Sequence, residues 1–306
     1  MIRHLLAIAF VLYAAGASGQ TCDRACLRTS LDRYLTALVK HDPAAAPLTA
    51  GFRQTENAKV RSLGTGLWQS MTGLGALQRR YYDPVTEQAG YFGTIEEAAG
   101  PAIVTLRLKV EGERISEAEW VLNRKGDPGL GPLGGNQAAA AYYDPAYLIA
   151  HAPPERVVPR GERVSRAELI AITNSYFDGL SAHDGKVIVA HAGCVRIENG
   201  ALTTQRPIDG GGLTDCMGEG AMRNIFAVTA RRYPIVDEEA GAVLGLALFQ
   251  RFPGVDMRRN LLAEWFYVEQ GKIRSIYAAM YYPEPEAMVP NWPPFDGNWP
   301  AQSPAK

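Results

Sequence analysis

The sequence predicts an α+β fold of two tandem cone-like units, each with N-terminal helices packed on a curved antiparallel sheet. Three observations carry that expectation. The stretch YLTALVKHD at 34–42 returns as YFDGLSAHD at 176–184, with Tyr, Leu, His and Asp at identical spacing. Each copy opens on apolar residues at helical spacing and continues in residues that alternate with period two. Finally, 306 residues at 47% apolar exceed one ordinary domain and suffice for two cores.

The first element is MIRHLLAIAFVLYAAGASGQTC, with a basic start (Arg3, His4), an apolar run from Leu5 to Ala15, and small residues at Ala17 and Gly19. It reads as a secretory signal over residues 1–20, cut near residue 19, and implies an exported protein, periplasmic or secreted. No later apolar run is long enough to cross a bilayer, so no integral membrane segment is expected after signal removal. Export makes the four cysteines candidates for pairing. Of the three connectivities, Cys22–Cys26 with Cys194–Cys216 is favoured: one pair closes at a helix start, the other closes a loop in the second half. Zinc would need CxxC or histidine partners at ligand spacing, and neither occurs.

The first unit is expected over 21–124. Its helix is marked by Leu27, Leu31, Tyr34, Leu35 and Leu38, and its strands by VTLRLKV and RISEAEWVL around a turn at Glu111-Gly112. Residues 125–164 carry GDPGLGPLGG and APPERVVPRG, a linker composition, with YYDPAYLI inside them apolar enough to dock on a domain. The second unit, 165–283, repeats the pattern with Leu169, Ile172, Tyr176, Phe177 and Leu180, then LLAEWFYV and KIRSIYAAM around Gln270-Gly271. A Pro/Trp-rich tail, 284–306, carries Trp292, Phe295 and Trp299, aromatics suited to covering an apolar surface or closing a pocket mouth.

Further matches keep the same order. Tyr34, Leu38, His41, Asp42, Glu56 and Asn57 correspond to Tyr176, Leu180, His183, Asp184, Glu198 and Asn199, all at an offset of 142. RRYYDPVTEQAG (79–90) corresponds to RRYPIVDEEAG (231–241), and LRLKVEGERI (106–115) to EWFYVEQGKI (264–273). The early helix ending in a polar-Asp turn, the IENG hairpin at 197–200 and the VEQGKIRSI strand–turn–strand together resemble the nuclear transport factor 2-like, or SnoaL-like, superfamily in tandem. CVRIENG, RRYPIVDEEAG and AEWFYVEQGKIR look like a secreted two-copy subgroup of poorly defined function. The resemblance covers about 230 residues. It implies the cone-shaped fold, which hosts cofactor-free dehydratases, isomerases, cyclases and lyases as well as non-catalytic binders. One activity in the superfamily is loss of formaldehyde from lignin-derived aromatic dimers.

Residues kept in both copies serve what the copies share. His41-Asp42 and His183-Asp184 therefore read first as helix-end punctuation, with His183 as a general base the alternative. The Glu-Asn pairs read as hairpin residues, and one arginine of each Arg-Arg-Tyr as the partner of an acid in its own sheet. Differences between copies say more. Alternation puts Leu106, Leu108 and Val110 on a buried face and Arg107, Lys109 and Glu111 on a solvated one. In the second copy the buried set becomes Glu264, Phe266 and Val268. An unpaired buried carboxylate costs several kcal/mol, so Glu264 is expected to be either in an ion pair with an arginine or a functional acid. Arg196 stands where the first copy has Gln54, and His191 where it has Thr49. Trp68, among the glycines of GTGLWQSMTGLG, has no second-copy match and reads as a domain-packing anchor or the wall of a second pocket.

Charge and motifs narrow the chemistry. A net charge of −1 without a basic run excludes the footprint of nucleic-acid binding. No GxGxxG after a strand, phosphate loop or GxSxG elbow occurs, so no cofactor is expected. The expected function is cofactor-independent lyase, dehydratase or isomerase chemistry by proton transfer on a small apolar, aromatic or polyketide-like molecule. Glu264, His183, Arg196 and Tyr176 are the catalytic candidates; His191, Tyr267, Phe266, Arg232 and Tyr281 are the candidate ligand contacts. The alternative is a secreted, non-catalytic binder holding such a molecule in the cone. A homodimer is left open.

Overall fold

The computed structural model describes residues 21–131, 142–207, 212–218, 224–254 and 257–283. The expected signal segment and the aromatic tail lie outside them. The first unit runs α1 (Arg24–Val39), β1 (Leu48–Glu56), β2 (Lys59–Arg61), α2 (Leu67–Ser70), β3 (Met71–Asp83), β4 (Gln88–Glu97), β5 (Gly100–Glu111) and β6 (Arg114–Arg124). A short helix α3 (Pro145–Ala150) lies in the connection, and the second unit runs α4 (Arg166–Ala182), β7 (Ala190–Glu198), β8 (Ala201–Leu202), β9 (Ile225–Asp237), β10 (Ala242–Arg251), β11 (Asn260–Glu269) and β12 (Lys272–Tyr281).

Both long helices form where the apolar spacing is helical and where a side chain can cap the start. Asp23 accepts from the N–H of Cys26 at 2.9 Å, while Ser165 and Glu168 make a reciprocal capping box. Each helix gives way to its histidine, directly after the cap residue Lys40 in α1 and as the cap itself in α4. His41 and His183 both adopt φ 55°, and Asp42 and Asp184 accept the N–H two residues on, at 3.1 and 2.9 Å. The repeated His-Asp is thus a turn device, as is the repeated asparagine. Asn57 exchanges two hydrogen bonds with the backbone of Leu122, at 3.0 and 2.8 Å, and Asn199 does the same with Met280, at 3.0 and 2.7 Å.

The sheets share one topology, β2-β1-β6-β5-β4-β3 and β8-β7-β12-β11-β10-β9. β1 pairs with β6, and β7 with β12, in parallel; the remaining pairings are antiparallel. The architecture is two tandem α+β cones, and α1 or α4 covers the inner face of each sheet. The inner faces make two cores, one around Tyr34, Trp68, Tyr91 and Trp120, the other around Tyr176, Phe177, Phe266 and Met280.

A third core joins the outer faces. Leu77, Tyr81, Phe92 and Val121 of the first sheet pack against Ile235, Leu244, Trp265 and Tyr267 of the second. The rings of Tyr81 and Trp265 stack at 4.0 Å. This back-to-back stacking corrects the expectation of a solvated outer face. Arg107 is only 4% exposed and donates to Glu119, Glu117 and Gln88 at 2.8, 2.7 and 2.8 Å. Glu119 also pairs with Arg232 of the second unit, at 2.5 Å. Burial alone would raise the Glu119 carboxyl, but the two guanidiniums outweigh it and hold it below its ordinary value. Arg232 therefore pairs with an acid of the other sheet, whereas Arg80 and Arg231 reach Asp32 and Asp178 on their own helices.

The connection is no free linker. Leu130 and Tyr142 pack on the second core, Leu148 is buried in the inter-sheet core, and the Leu130 carbonyl accepts from the N–H of Arg258 at 2.7 Å. Cys22–Cys26 and Cys194–Cys216 are both disulfides. No helix among the described residues is long and apolar enough to cross a membrane.

Candidate functional site

Paired strands fix which residues of the two cones are equivalent. In the first cone, Tyr91, Leu106 and Trp120 stand side by side across β4, β5 and β6. The same row of the second cone reads Gly245, Glu264 and Ala278. Two large rings and a leucine have become a glycine, a carboxylate and an alanine. Part of the volume returns through Phe177 and Phe266, which occupy the positions of Leu35 and Leu108. A Cβ on Gly245 would lie 2.8 Å from the Phe266 ring, so only glycine fits there.

Above the row the cones diverge again. In the first, Trp68 lies inside the cone, 2% exposed, with its Nε1 donating to Gln54 at 2.8 Å and its ring edge-on to Tyr34 at 5.5 Å. It is a plug for its own cone rather than an anchor between domains. Trp120 closes the arrangement by donating to the Tyr34 hydroxyl at 3.4 Å. In the second cone Arg196 takes the place of Gln54 and donates to the Tyr176 hydroxyl at 2.7 Å. Beside Arg196 a cavity of about 300 Å³ opens, lined among others by Arg196, Glu198, Arg251, Asn260, Met280 and Tyr282. The disulfide Cys194–Cys216 holds the loop that supplies Thr203, Thr214 and Asp215 to its wall.

Glu264 lies behind this wall, fully buried. Of the two explanations offered by the sequence, the ion pair is not formed: neither carboxylate oxygen has a hydrogen-bond partner among the described residues. Burial pushes the Glu264 carboxyl well above the carboxylate range; the neighbouring Glu198 adds to this and Arg196 offsets it in part. Burial likewise raises the Tyr176 phenol above its ordinary value, so it remains a hydroxyl able to accept from Arg196. Glu198 reaches the cavity, as does Asp215, and lies 3.7 Å from Arg196 Nε. Its first-cone counterpart Glu56 is occupied, accepting from the N–H of Leu67 at 2.7 Å and pairing with Arg61 at 3.4 Å. The second cone has Thr203 in place of Arg61. A residue read as hairpin structure is thereby left facing the cavity.

Three of the four expected catalytic residues come together: Glu264, Arg196 and Tyr176. His183 does not join them. It is exposed at the end of α4, its Nε2 2.7 Å from the Ile225 carbonyl. Of the expected ligand contacts, Phe266 lies in the inner core against Tyr176, with ring centroids 5.4 Å apart. Tyr267 points the other way, into the inter-sheet core, hydroxyl to hydroxyl with Tyr81. Tyr281 packs against that same core, and Arg232 is committed to Glu119. His191 stands at the sheet edge, its Nε2 2.9 Å from the Glu269 carbonyl. Period-two alternation explains the split, since neighbours of an inward residue face outward. Among the described residues, no group of three histidine, cysteine or acidic side chains is placed to hold a metal ion.

One comparison with known proteins falls on this same half. The profile of DUF8021, a domain of unknown function, matches residues 162–280. No curated protein matches the chain. A solved protein of unknown function with a cystatin-like fold, from Methylobium petroleophilum PM1, is similar at 19% identity over 41% of this chain and 84% of that one, with a TM-score of 0.28. The matched span contains Arg196, Glu198, Arg251 and Glu264, so the profile covers the cone that carries the cavity.

Proposed function

We propose that the second cone is the site of cofactor-independent proton-transfer chemistry, of the lyase, dehydratase or isomerase kind, on a small aromatic or polyketide-like molecule. The observation that carries this is a cavity in the second cone lined by the Glu198 carboxylate and the Arg196 guanidinium, with the buried acid Glu264 in electrostatic reach of both. Glu198 is the base within reach of a bound ligand. Arg196, held by Tyr176, is the cation that stabilises an oxyanion as a carbon-bound proton leaves. Glu264 acts through Arg196: held toward the neutral acid by burial, it sets no second negative charge beside Glu198 against that cation. The resemblance to the nuclear transport factor 2-like superfamily supports the reading, because cones of that kind host such reactions, including deformylation of lignin-derived aromatic dimers. The disulfides agree with an exported protein.

The test is incubation of the purified protein in deuterated water with small aryl ketones and β-ketoesters, followed by mass spectrometry. Deuterium uptake or a changed product is expected, slowed about 10²–10⁴-fold in Glu198→Gln. Ligand that binds and returns with no label and no change would replace this reading with that of a carrier.

A further inference from the structure

The cavity wall carries three cations, Arg196, Arg251 and the exposed Arg206, against two acids, Glu198 and Asp215, so one positive charge is in surplus. In the first cone, Glu97 at the end of β4 pairs with Arg124 at the end of β6, at 2.5 and 3.0 Å, and accepts from the Ser70 hydroxyl. Following the strand registers, those positions in the second cone are Arg251 and Tyr282. The acid has become a base and the base a phenol. A closed ion pair in one copy is thus a lone guanidinium in the other.

Arg251 is held without being neutralised. Its Nε donates to the Arg258 carbonyl at 3.0 Å and its Nη2 to the Asn260 side-chain oxygen, both uncharged acceptors. No carboxylate lies within ion-pair distance of it among the described residues; Glu198 is engaged with Arg196, and Asp215 accepts from the backbone of Gly193 and Met217. Burial depresses its basicity, the mark of a charge short of compensation, although a guanidinium stays protonated throughout. A half-buried cation without a counter-ion carries a desolvation cost, and a ligand anion offsets it.

Resting on the reading of this cavity as a ligand site, we propose that it selects molecules carrying a single carboxylate, with Arg251 as the residue that takes the anion. One positive charge in surplus suits one negative charge, and the wall offers the hydroxyl of Tyr142 as a further donor. The apolar side of the same cavity, Leu130, Ile225, Phe249 and Met280, suits an aryl or alkenyl body. The ligand class is therefore an aromatic or unsaturated monocarboxylic acid of about ten to fifteen heavy atoms, within what pockets of this size enclose.

The experiment is calorimetric titration of the full chain with 4-hydroxycinnamate and with its amide, repeated on Arg251→Gln and Arg251→Lys. The acid is expected to bind wild type at least about 10-fold more tightly than the amide, the difference vanishing in Arg251→Gln and surviving in part in Arg251→Lys. The comparison of acid with amide on wild type needs no variant to fold. Equal affinities, an acid preference that persists in Arg251→Gln, or no binding by either compound would overturn the proposal. Deuterium uptake by neutral ketones without acid preference would keep the proton-transfer reading and reject this one; acid preference without turnover would do the reverse.

Discussion

Asp83 and Asp237 hold equivalent places at the ends of β3 and β9, and each is bound by the backbone of the other unit. Asp83 accepts from the N–H of Val236, and Asp237 from that of Tyr82, both at 2.9 Å. The first arginine of each long helix completes the exchange: Arg24 pairs with Asp237 at 2.9 Å and Arg166 with Asp83 at 2.7 Å. This exchange is made twice, once from each unit, as across the two-fold of a symmetric dimer.

Replacing either aspartate by alanine should destabilise the whole chain, because both carboxylates are fully buried while each leaves an N–H and an arginine behind. The expected loss is about 2–4 kcal/mol, below the roughly 3–5 for a wholly buried pair, since the arginines are about a quarter exposed. Urea denaturation checks it. Two near-equal losses in a single transition would match the reciprocal geometry; a change under about 0.5 kcal/mol in either would show that the apolar contacts alone hold the units together.

Glu264→Leu returns to the second cone the residue found in the first. The carboxyl has no hydrogen bond to lose, so the variant is expected to be more stable by about 1–3 kcal/mol, read from the denaturation midpoint. Site residues commonly carry such a stability cost. A loss of about 3–5 kcal/mol would instead reveal an ion partner stranded by the change.

Titration gives an independent handle on the same residue. An unfolded glutamate ionises near about 4.3, while burial raises the folded Glu264 well above its ordinary value. Below about pH 4.3 both states hold the proton and nothing is lost. As pH rises past that point the unfolded chain ionises first, so stability falls, by up to about 1.4 kcal/mol per pH unit, until the folded carboxyl also ionises. Measured against Glu264→Gln, which cannot titrate there, the wild type should lose ground from about pH 5 upward. A flat difference between pH 4 and 8 would mean the carboxyl is already ionised when folded.

The repeat, the helices and the hairpins were legible because they are local. Leu27 to Leu38 recur at helical spacing whatever they pack on, and VEQGKIRSI needs its turn wherever the sheet lies. Glu264 was legible too, since period two alone placed it with Phe266. What alternation cannot tell is whether the opposite face meets water or another sheet. Arg107 and Tyr267 both sit in the inter-sheet core, the one read as solvated and the other as a ligand contact. Arg251 and Tyr282 escaped notice for a different reason. The copies drift apart by insertions, so that the offset of 142 at Tyr34 and Tyr176 has become 158 by Leu106 and Glu264. Carrying that last offset on to Arg124 would have exposed the exchange with Tyr282. Glu198 could be freed only by what its neighbours lost, which one strand does not show.

The two disulfides should differ in what they do. Cys22–Cys26 spans 4 residues and Cys194–Cys216 spans 22, so loop-closure entropy predicts stabilisation of about 2 and about 3 kcal/mol respectively. The larger distinction is functional, because the second bond draws Thr203, Thr214 and Asp215 over the cavity while the first only fastens the start of α1. Paired serine replacements at 194 and 216 should therefore weaken 4-hydroxycinnamate binding at a temperature where the chain is still folded, and the same replacements at 22 and 26 should leave it within about twofold, within the spread expected for residues without shared partners. Calorimetry on both variants, alongside their melting curves, separates the effects. Equal binding in the two would mean that the cavity wall keeps its shape without the bond, and that Cys194–Cys216 serves stability alone.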